Sequence, residues 1–193
     1  MNLHTWTGFG SVPYWNAYVA ATEMHGSGTF FDARFNDSNQ YPVAAKSGAG
    51  DTRGTPDMIT AKLAALHFYQ LAIPAPKPPK GSFSETAASR GKEIFEGKGK
   101  CATCHVPPLF TEPGNNVHAP EEIGIDAFQA DRSPTHKYRT APLAGLWSHQ
   151  KGGFYHDGRF QTLADVIDHY DTFSKLELTQ QEKTDLIEYL KSL

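Results

Sequence analysis

The chain has 193 residues, 39% of them hydrophobic, which suits about one to one and a half globular domains. A formal net charge of −3, without a lysine- or arginine-rich cluster, argues against a nucleic-acid partner. No apolar run approaches the roughly 18 residues of a membrane span, and the N-terminus lacks the charged and apolar regions of a signal peptide. We therefore expect a hydrophobic core and no membrane span.

Residues 1–55 show the least regular pattern of the chain. Aromatic residues and glycines are mixed without a sustained period between residues 6 and 15, and a short helix is predicted from Tyr14 to Met24. Turn-forming residues cluster between Gly26 and Gly54, so this stretch is predicted to be mostly loop. No strand-like alternation of useful length occurs, which favours an all-α class.

A more regular segment begins at Thr55-Pro56-Asp57, where a capping residue is followed by proline. The run from there to Ile73 is rich in alanine and leucine, and apolar residues surround most of its circumference. We predict a helix that is buried on most sides. A proline-rich connector at 76–83 then separates an N-terminal segment, 1–75, from a second domain, 84–193.

Two predicted helices frame the second domain. The first, residues 84–96, begins with a serine cap and carries its apolar residues on one face. The last helix of the chain begins with the capping box at 179–182. We expect the two helices to cross, because Gly91 would let the backbones approach closely while Phe95 and Tyr189 fill the contact.

The segment Cys101-Ala102-Thr103-Cys104-His105 is the attachment signature of a c-type haem. Two thiols on one turn can each bond a vinyl group of the porphyrin, which places His105 under the iron as proximal ligand. A structural zinc site would need about four ligands in two pairs, and no second pair follows. A thioredoxin-type motif would need a βαβ setting, and a disulfide here would close a very small loop. One covalent haem c is therefore the favoured interpretation.

A haem also needs an apolar wall and partners for its propionates. Arg139 and the Trp147 N–H are candidates to donate hydrogen bonds to the propionates. The candidates for the wall are Val106, Leu109, Phe110, Leu143, Leu146 and Trp147.

Three further motifs follow in order: Tyr138-Arg139-Thr140-Ala141-Pro142-Leu143, then Gly153-Phe154-Tyr155-His156-Asp157-Gly158-Arg159, then Thr162-Leu163-Ala164-Asp165-Val166. Together with the haem signature they resemble the C-terminal haem domain of the bacterial dihaem cytochrome c peroxidase and MauG family, over about residues 84–193. Two positions depart from the family pattern, which often has proline where Ala141 stands and arginine where Ala144 stands. The resemblance implies a cytochrome c-like fold with long loops.

The resemblance also implies a distal iron ligand on the helix after the His-Asp-Gly motif, where the peroxidases have methionine and MauG-like members have tyrosine. The matching residue is Tyr170. Helical geometry agrees, because Tyr170 shares an apolar face with Leu163 and Ile167, whereas His169 points roughly 100° away.

Other assignments for Tyr170 and for the distal ligand stay open at the sequence level. An inward tyrosine at a helix end is often a core residue, and an iron without a distal ligand would admit peroxide. Met24 and Met58 are rival ligands, although each is better explained as gap-filling core. The histidines that could coordinate are His25, His67, His118, His136, His149 and His156.

Two functions from different classes are consistent with these patterns. The first is a monohaem electron-transfer protein that binds a redox partner protein at an exposed haem edge; the second is a peroxidase or oxidase domain that reacts with hydrogen peroxide. A structural subunit is a third possibility. Residues 1–75 take the place of the family's other haem domain but contain no cysteine. We expect them to be either the remnant of a second haem domain or a binding surface that shields the haem. The resemblance implies a periplasmic or otherwise extracytoplasmic bacterial location, and we expect Met1 to open a fragment or a processed chain.

Overall fold

The computed structural model describes residues 12–112, 114–149 and 151–193. Of these, residues 12–74 belong to one compact unit and residues 75–193 to another. The mixed aromatic and glycine pattern at residues 6–11 lies outside the described residues. No helix within the described ranges is long and apolar enough to cross a membrane.

The first unit begins with helix α1, Val12–Tyr18, which continues as a π-helical turn at Val19–Glu23. The helix predicted from Tyr14 to Met24 is therefore confirmed, with its start two residues earlier. Its last turn differs because the Met24 N–H reaches back five residues to the Val19 carbonyl, at 2.9 Å.

The prediction of mostly loop between residues 26 and 54 is confirmed only in part, because it missed three short regular elements. Strand β1, Thr29–Phe31, pairs antiparallel with strand β2, Asp51–Arg53, and helix α2, Pro42–Ser47, lies between them. Each strand has only three residues, too few to produce a recognisable alternation. The described part of the chain is thus largely helical with one small sheet, rather than strictly all-α.

Aromatic packing holds the first unit together. Phe30 and Phe35 are buried, and the rings of Tyr14, Tyr18 and Tyr41 pack around them at centroid distances of 5.1–5.4 Å. Edge-to-face pairs of this kind add to the free energy gained from burial alone.

Helix α3, Leu63–Ala72, corrects a second expectation. It follows a 3₁₀ turn at Thr60–Lys62, so regular helix begins seven residues after Pro56, where the proline signal placed its start. Phe68 and Tyr69 are 73% and 66% exposed, so the helix is not buried on most sides. Apolar composition alone overstated its burial, because no described element covers this face.

The second unit contains helices α4, Glu85–Glu96, α5, Leu163–Ser174, and α6, Gln180–Lys191. The predicted caps are confirmed: the Ser84 hydroxyl accepts from the Ala87 N–H at 3.3 Å, and Thr179 and Glu182 form a reciprocal capping box. A third capping box, Thr162 with Asp165, begins α5. Between the haem signature and α5 the chain runs as a long loop with short 3₁₀ turns.

Helices α4 and α6 cross as predicted. A Cβ on Gly91 would lie 2.0 Å from the Asp185 carbonyl oxygen, so only glycine permits this approach. Phe95 is fully buried, and its ring centroid lies 5.2 Å from that of Tyr189. Arg90 donates two hydrogen bonds of 2.6–2.7 Å to the buried Asp185 carboxylate, which fastens the crossing at its polar edge.

We expect Gly91→Ala to lower the free energy of unfolding by about 1–3 kcal/mol, because the added methyl group forces the two backbones apart. Urea denaturation followed by circular dichroism measures this loss. Ser89→Ala, at an exposed position of the same helix, is the matched control and should leave stability unchanged or slightly raised. Equal stability of Gly91→Ala and the wild type would contradict the close approach.

Candidate haem site

The cysteine turn follows directly from the end of α4. Beyond the helix the Gly99 N–H bonds the Ile94 carbonyl at 2.8 Å, and Lys100 has a left-handed φ of +54°. A 3₁₀ turn at Cys101–Thr103 then brings the His105 N–H within 2.9 Å of the Cys101 carbonyl. Two thiols and one imidazole therefore share a single turn held against the α4–α6 core.

Both cysteines are free thiols. Burial raises the pKa of Cys101 to about 11, and burial also raises the pKa of Cys104, with nearby carboxylates acting in the same direction. Redox motifs of the thioredoxin type instead lower the pKa of their exposed cysteine. The environment therefore favours neutral, protonated thiols over a redox-active pair.

His105 is fixed in one tautomer by its own loop. Its Nδ1 lies 2.9 Å from the Phe110 carbonyl oxygen, and a carbonyl can only accept, so Nδ1 carries the proton. Burial lowers the pKa of His105, which keeps the ring neutral near pH 7. A neutral ring with a protonated Nδ1 has its lone pair on Nε2. This is the arrangement expected of an imidazole that binds iron.

Arg139 provides a direct test of whether the site fits a haem. The side chain is buried, and its Nη2 makes no hydrogen bond within the described ranges. A buried guanidinium keeps its charge, and leaving one of its donors unpaired is costly. Carboxylates of a porphyrin would supply the missing acceptor, so the donor set of this site fits the cofactor.

The apolar side chains named from the sequence divide into two groups. Cys101, Phe110 and Leu143 pack against the core that includes the buried Leu146, whereas Val106 is 37% exposed. Phe110 thus contributes both its ring and its carbonyl to the surroundings of the cysteine turn.

Trp147 uses its indole N–H elsewhere. Its Nε1 donates to the Pro76 carbonyl at 2.9 Å, a bond that ties the proline-rich connector to the second unit. A propionate contact from Trp147 stays a prediction, and it would require this bond to be exchanged.

The sequence analysis missed one acidic residue beside the cysteines, Glu112. Glu112 accepts hydrogen bonds from His118 Nε2 at 2.5 Å and from the Thr140 hydroxyl at 2.6 Å. One ligand atom each of Cys104, Glu112 and His118 lies within 4.8 Å of the others. This is a possible three-ligand metal group, but the His118 ring is already engaged by carboxylates on both nitrogens. Only the loop that folds back from the haem signature brings the three together.

Tyr170 faces the cysteine turn from α5. Leu163 and Ile167, on the same side of the helix, are buried. Burial raises the pKa of Tyr170, and both cysteines add to this effect electrostatically, so the phenol lies near the two thiols. The neighbouring Tyr155 hydroxyl acts in the opposite direction.

His169 was expected to point into solvent, but it does not. It is half-buried, and its ring stacks on Phe173 at 6.0 Å and lies 5.1 Å from Phe160. Sequence periodicity predicted the direction of His169 relative to Tyr170. It could not predict that the loop carrying Tyr155 and Phe160 packs against that side of the helix.

The rival ligands lie in less favourable surroundings. Met24 and Met58 are 73% and 54% exposed, so the expectation that they fill gaps in the core was wrong. Among the histidines, His67 is buried on α3, His118 is bonded to Glu112, and His156 lies 3.4 Å from Asp126 and stacks on Tyr138; His25, His136 and His149 are exposed.

The loop at 153–159 carries a second polar cluster. Asp126, His156 and Asp157 could together offer three metal ligands. The Arg159 guanidinium, however, makes ion pairs with both carboxylates of this group. A cation already neutralises the cluster, so its evident role is to hold the motif loop against the segment around residue 126.

No family model matches the sequence. The chain is 27% identical over 155 residues to methylamine utilization protein MauG of Methylorubrum extorquens, covering 70% of this chain and 43% of that protein. It is 28% identical over 170 residues to MauG of Methylophilus methylotrophus, covering 75% of this chain and 49% of that protein. Over these ranges the chain is similar in sequence to MauG proteins. The resemblance drawn from the motifs is confirmed, although the chain spans less than half the length of these relatives.

A solved structure gives a comparison of fold. The crystal structure of a MauG-like protein associated with microbial copper homeostasis aligns with a TM-score of 0.50 and 23% identity, covering 69% of this MauG-like chain and 56% of that chain. This likeness concerns the largely helical architecture alone.

The buried thiols generate a prediction about the haem-free chain. Since fewer thiolates form when the pKa is raised, we expect iodoacetamide at pH 8 to alkylate Cys101 at least about tenfold more slowly in native buffer than in urea. The difference should narrow as the pH rises towards 11, where both states ionise. Mass spectrometry of digested samples gives the rate at each cysteine. Equal rates in native buffer and urea would show that the turn is not formed before haem attachment.

Proposed function

We propose that this MauG-like chain binds one haem c covalently and transfers electrons through it. Cys101 and Cys104 would form the thioether bonds, and His105 would bind the iron through Nε2. The support is the orientation of His105 by the Phe110 carbonyl, together with the buried Nη2 of Arg139, which has no hydrogen bond among the described residues. When bound, the haem supplies a one-electron couple at its iron.

The protein residues have separable roles in this proposal. The Phe110 carbonyl orients the His105 ring and holds its Nδ1 proton, which makes Nε2 a stronger donor. Arg139 receives the propionates and compensates their charge within a partly buried site. Phe110 and Leu143 exclude water from one side of the cofactor, which favours the less charged state of the iron.

Tyr170 is the proposed distal ligand, and its direction is the observation that carries the choice of function. A phenol oxygen that faces the cysteine turn would fill the sixth position of the iron, leaving no site for peroxide. An anionic ligand stabilises ferric iron and lowers the potential. A six-coordinate haem of low to moderate potential suits electron relay rather than direct reaction with a substrate.

The proposal includes a location and a partner. Covalent haem attachment in bacterial c-type cytochromes takes place outside the cytoplasm, so we place the MauG-like chain in the periplasm or another extracytoplasmic space. Its partner would be a redox protein that docks at the exposed haem edge. Similarity to methylamine utilization proteins supports a role beside a partner protein, without identifying it.

Replacing the distal ligand tests this assignment. In Tyr170→Phe we expect the phenolate-to-iron features of the ferric spectrum to disappear and the midpoint potential to rise by about 0.1 V or more, since axial ligands tune haem potentials over about 0.8 V. Absorption, resonance Raman and spectroelectrochemistry measure both effects.

Tyr189→Phe, a core tyrosine on α6, is the matched control and should keep the wild-type spectrum. The intact mass of each matured protein should include one haem. An unchanged spectrum in Tyr170→Phe would remove the ligand assignment, and a matured chain without the added mass would remove the cofactor.

A peroxidase-type reaction is the second candidate function, and the similarity to MauG proteins favours it. It requires the distal position to open, so that peroxide can reach the iron. In this case Tyr170 would be a pocket residue rather than a permanent ligand.

Stopped-flow mixing of the ferric haem protein with hydrogen peroxide separates the two functions. For electron transfer we expect no spectral change in the wild type on the millisecond scale, and a faster reaction in Tyr170→Phe because its sixth position is free. A rapid change in the wild type, saturating with peroxide concentration, would favour the peroxidase function instead.

A further inference from the structure

Tyr155 lies in a tight loop whose ends are held together. The Phe154 N–H bonds the Phe160 carbonyl at 2.7 Å, so residues 154 and 160 form an isolated antiparallel bridge. Within this loop Tyr155 has a φ of +68°, in the left-handed region that bulky residues rarely adopt. Such a conformation costs roughly 1–3 kcal/mol, so the surrounding structure must hold it in place.

The ring of Tyr155 is held by aromatic neighbours. It lies 4.9 Å from Phe160 and 5.7 Å from His169, both in edge-to-face geometry. Its third aromatic neighbour is Tyr170, at 6.3 Å between ring centroids and 36° between ring planes. The strained backbone and this packing together direct the Tyr155 side chain towards the ligand position on α5.

The Tyr155 hydroxyl is buried and lies against the Tyr170 phenol, with which it interacts electrostatically. It makes no hydrogen bond of ordinary geometry among the residues that the structure describes. A buried hydroxyl without a partner costs about 1–3 kcal/mol. The oxygen of Tyr170, with which this hydroxyl interacts, is available as its acceptor.

We propose that Tyr155 is a positioning residue for Tyr170, and that its hydroxyl donates a hydrogen bond to the Tyr170 phenolate oxygen where that oxygen binds the haem iron. This inference rests on the proposed ligation of the iron by Tyr170. A coordinated phenolate oxygen keeps a lone pair that can accept such a bond. The motif loop at 153–159 thereby has a function beyond its ion-pair cluster.

The hydrogen bond has a defined electronic consequence. It draws negative charge away from the phenolate oxygen, so the oxygen donates less strongly to ferric iron. Without it the iron–oxygen bond strengthens and the ferric state is favoured. The bond also fixes the direction of the phenol, which would otherwise rotate about its side-chain torsions.

The test compares holoproteins of wild type and Tyr155→Phe, which removes the hydroxyl and keeps the ring. We expect Tyr155→Phe to retain phenolate bands in its resonance Raman spectrum, with a higher iron–oxygen stretching frequency and a lower midpoint potential. Tyr138→Phe is the matched control, because among the described residues the Tyr138 hydroxyl bonds backbone groups: the N–H of Gln129, the N–H of Ala130 and the Asp126 carbonyl. It should shift neither quantity.

A second measurement needs no variant. The hydroxyl proton of Tyr155 exchanges with solvent, so transfer of the wild-type holoprotein from H₂O to D₂O should shift the iron–oxygen stretching frequency. This shift should be absent in Tyr155→Phe. The measurement remains decisive if that variant does not fold.

The outcomes separate this inference from the proposed function. In one outcome, the wild type shows phenolate bands whose frequencies are the same in Tyr155→Phe and in D₂O. That result would overturn the role of Tyr155 while leaving Tyr170 as ligand. Absence of phenolate bands in the wild type would overturn the ligation, and this inference with it. A change in thermal stability alone, with the Raman spectrum and potential unmoved, would show that Tyr155 only packs.

Discussion

The backbone contact between α4 and α6 is the constraint on which the rest of the second unit depends. At Gly91 the two helices approach so closely that no side chain fits between them, and Phe95 then closes the apolar side of the crossing. The cysteine turn begins only a few residues beyond Phe95, so its position follows from where α4 ends. The same core receives Cys101 and Phe110, which joins the cysteine turn to the hydrophobic core of the second unit.

Around that turn the chain combines neutral ligands with separately placed charges. The thiols and the His105 ring are neutral because burial disfavours their charged forms. Charge is carried instead by Arg139 and by Glu112, which is bonded to its neighbours. In the proposed haem site, Arg139 would pair with the propionates while the His105 ring, the proposed iron ligand, stays neutral. It is the arrangement on which the electron-transfer proposal for this MauG-like chain rests.

The sequence predicted what local rules determine. Serine and threonine caps, one-sided apolar periodicity and a glycine at a crossing act within a few residues, so α4, α6 and their contact could be foreseen. The β1–β2 pairing could not, because its two short strands are brought together across some twenty residues of chain. The exposure of Phe68 depends on the absence of a covering element among those described, which composition does not encode. Glu112 and Tyr155 acquire their importance only when loops return them to the cysteines and to α5.

Tyr155 also illustrates how stability and function can conflict at one residue. Its left-handed backbone suits glycine or asparagine better than an aromatic residue, so a redesign guided by backbone conformation alone would favour replacing it. Either replacement would leave the loop closed by the Phe154–Phe160 bridge while removing the phenol that faces Tyr170. Substitutions chosen to fit the backbone would therefore have to exclude this position, since the residues that best fit its left-handed conformation lack the phenol that faces the proposed iron ligand.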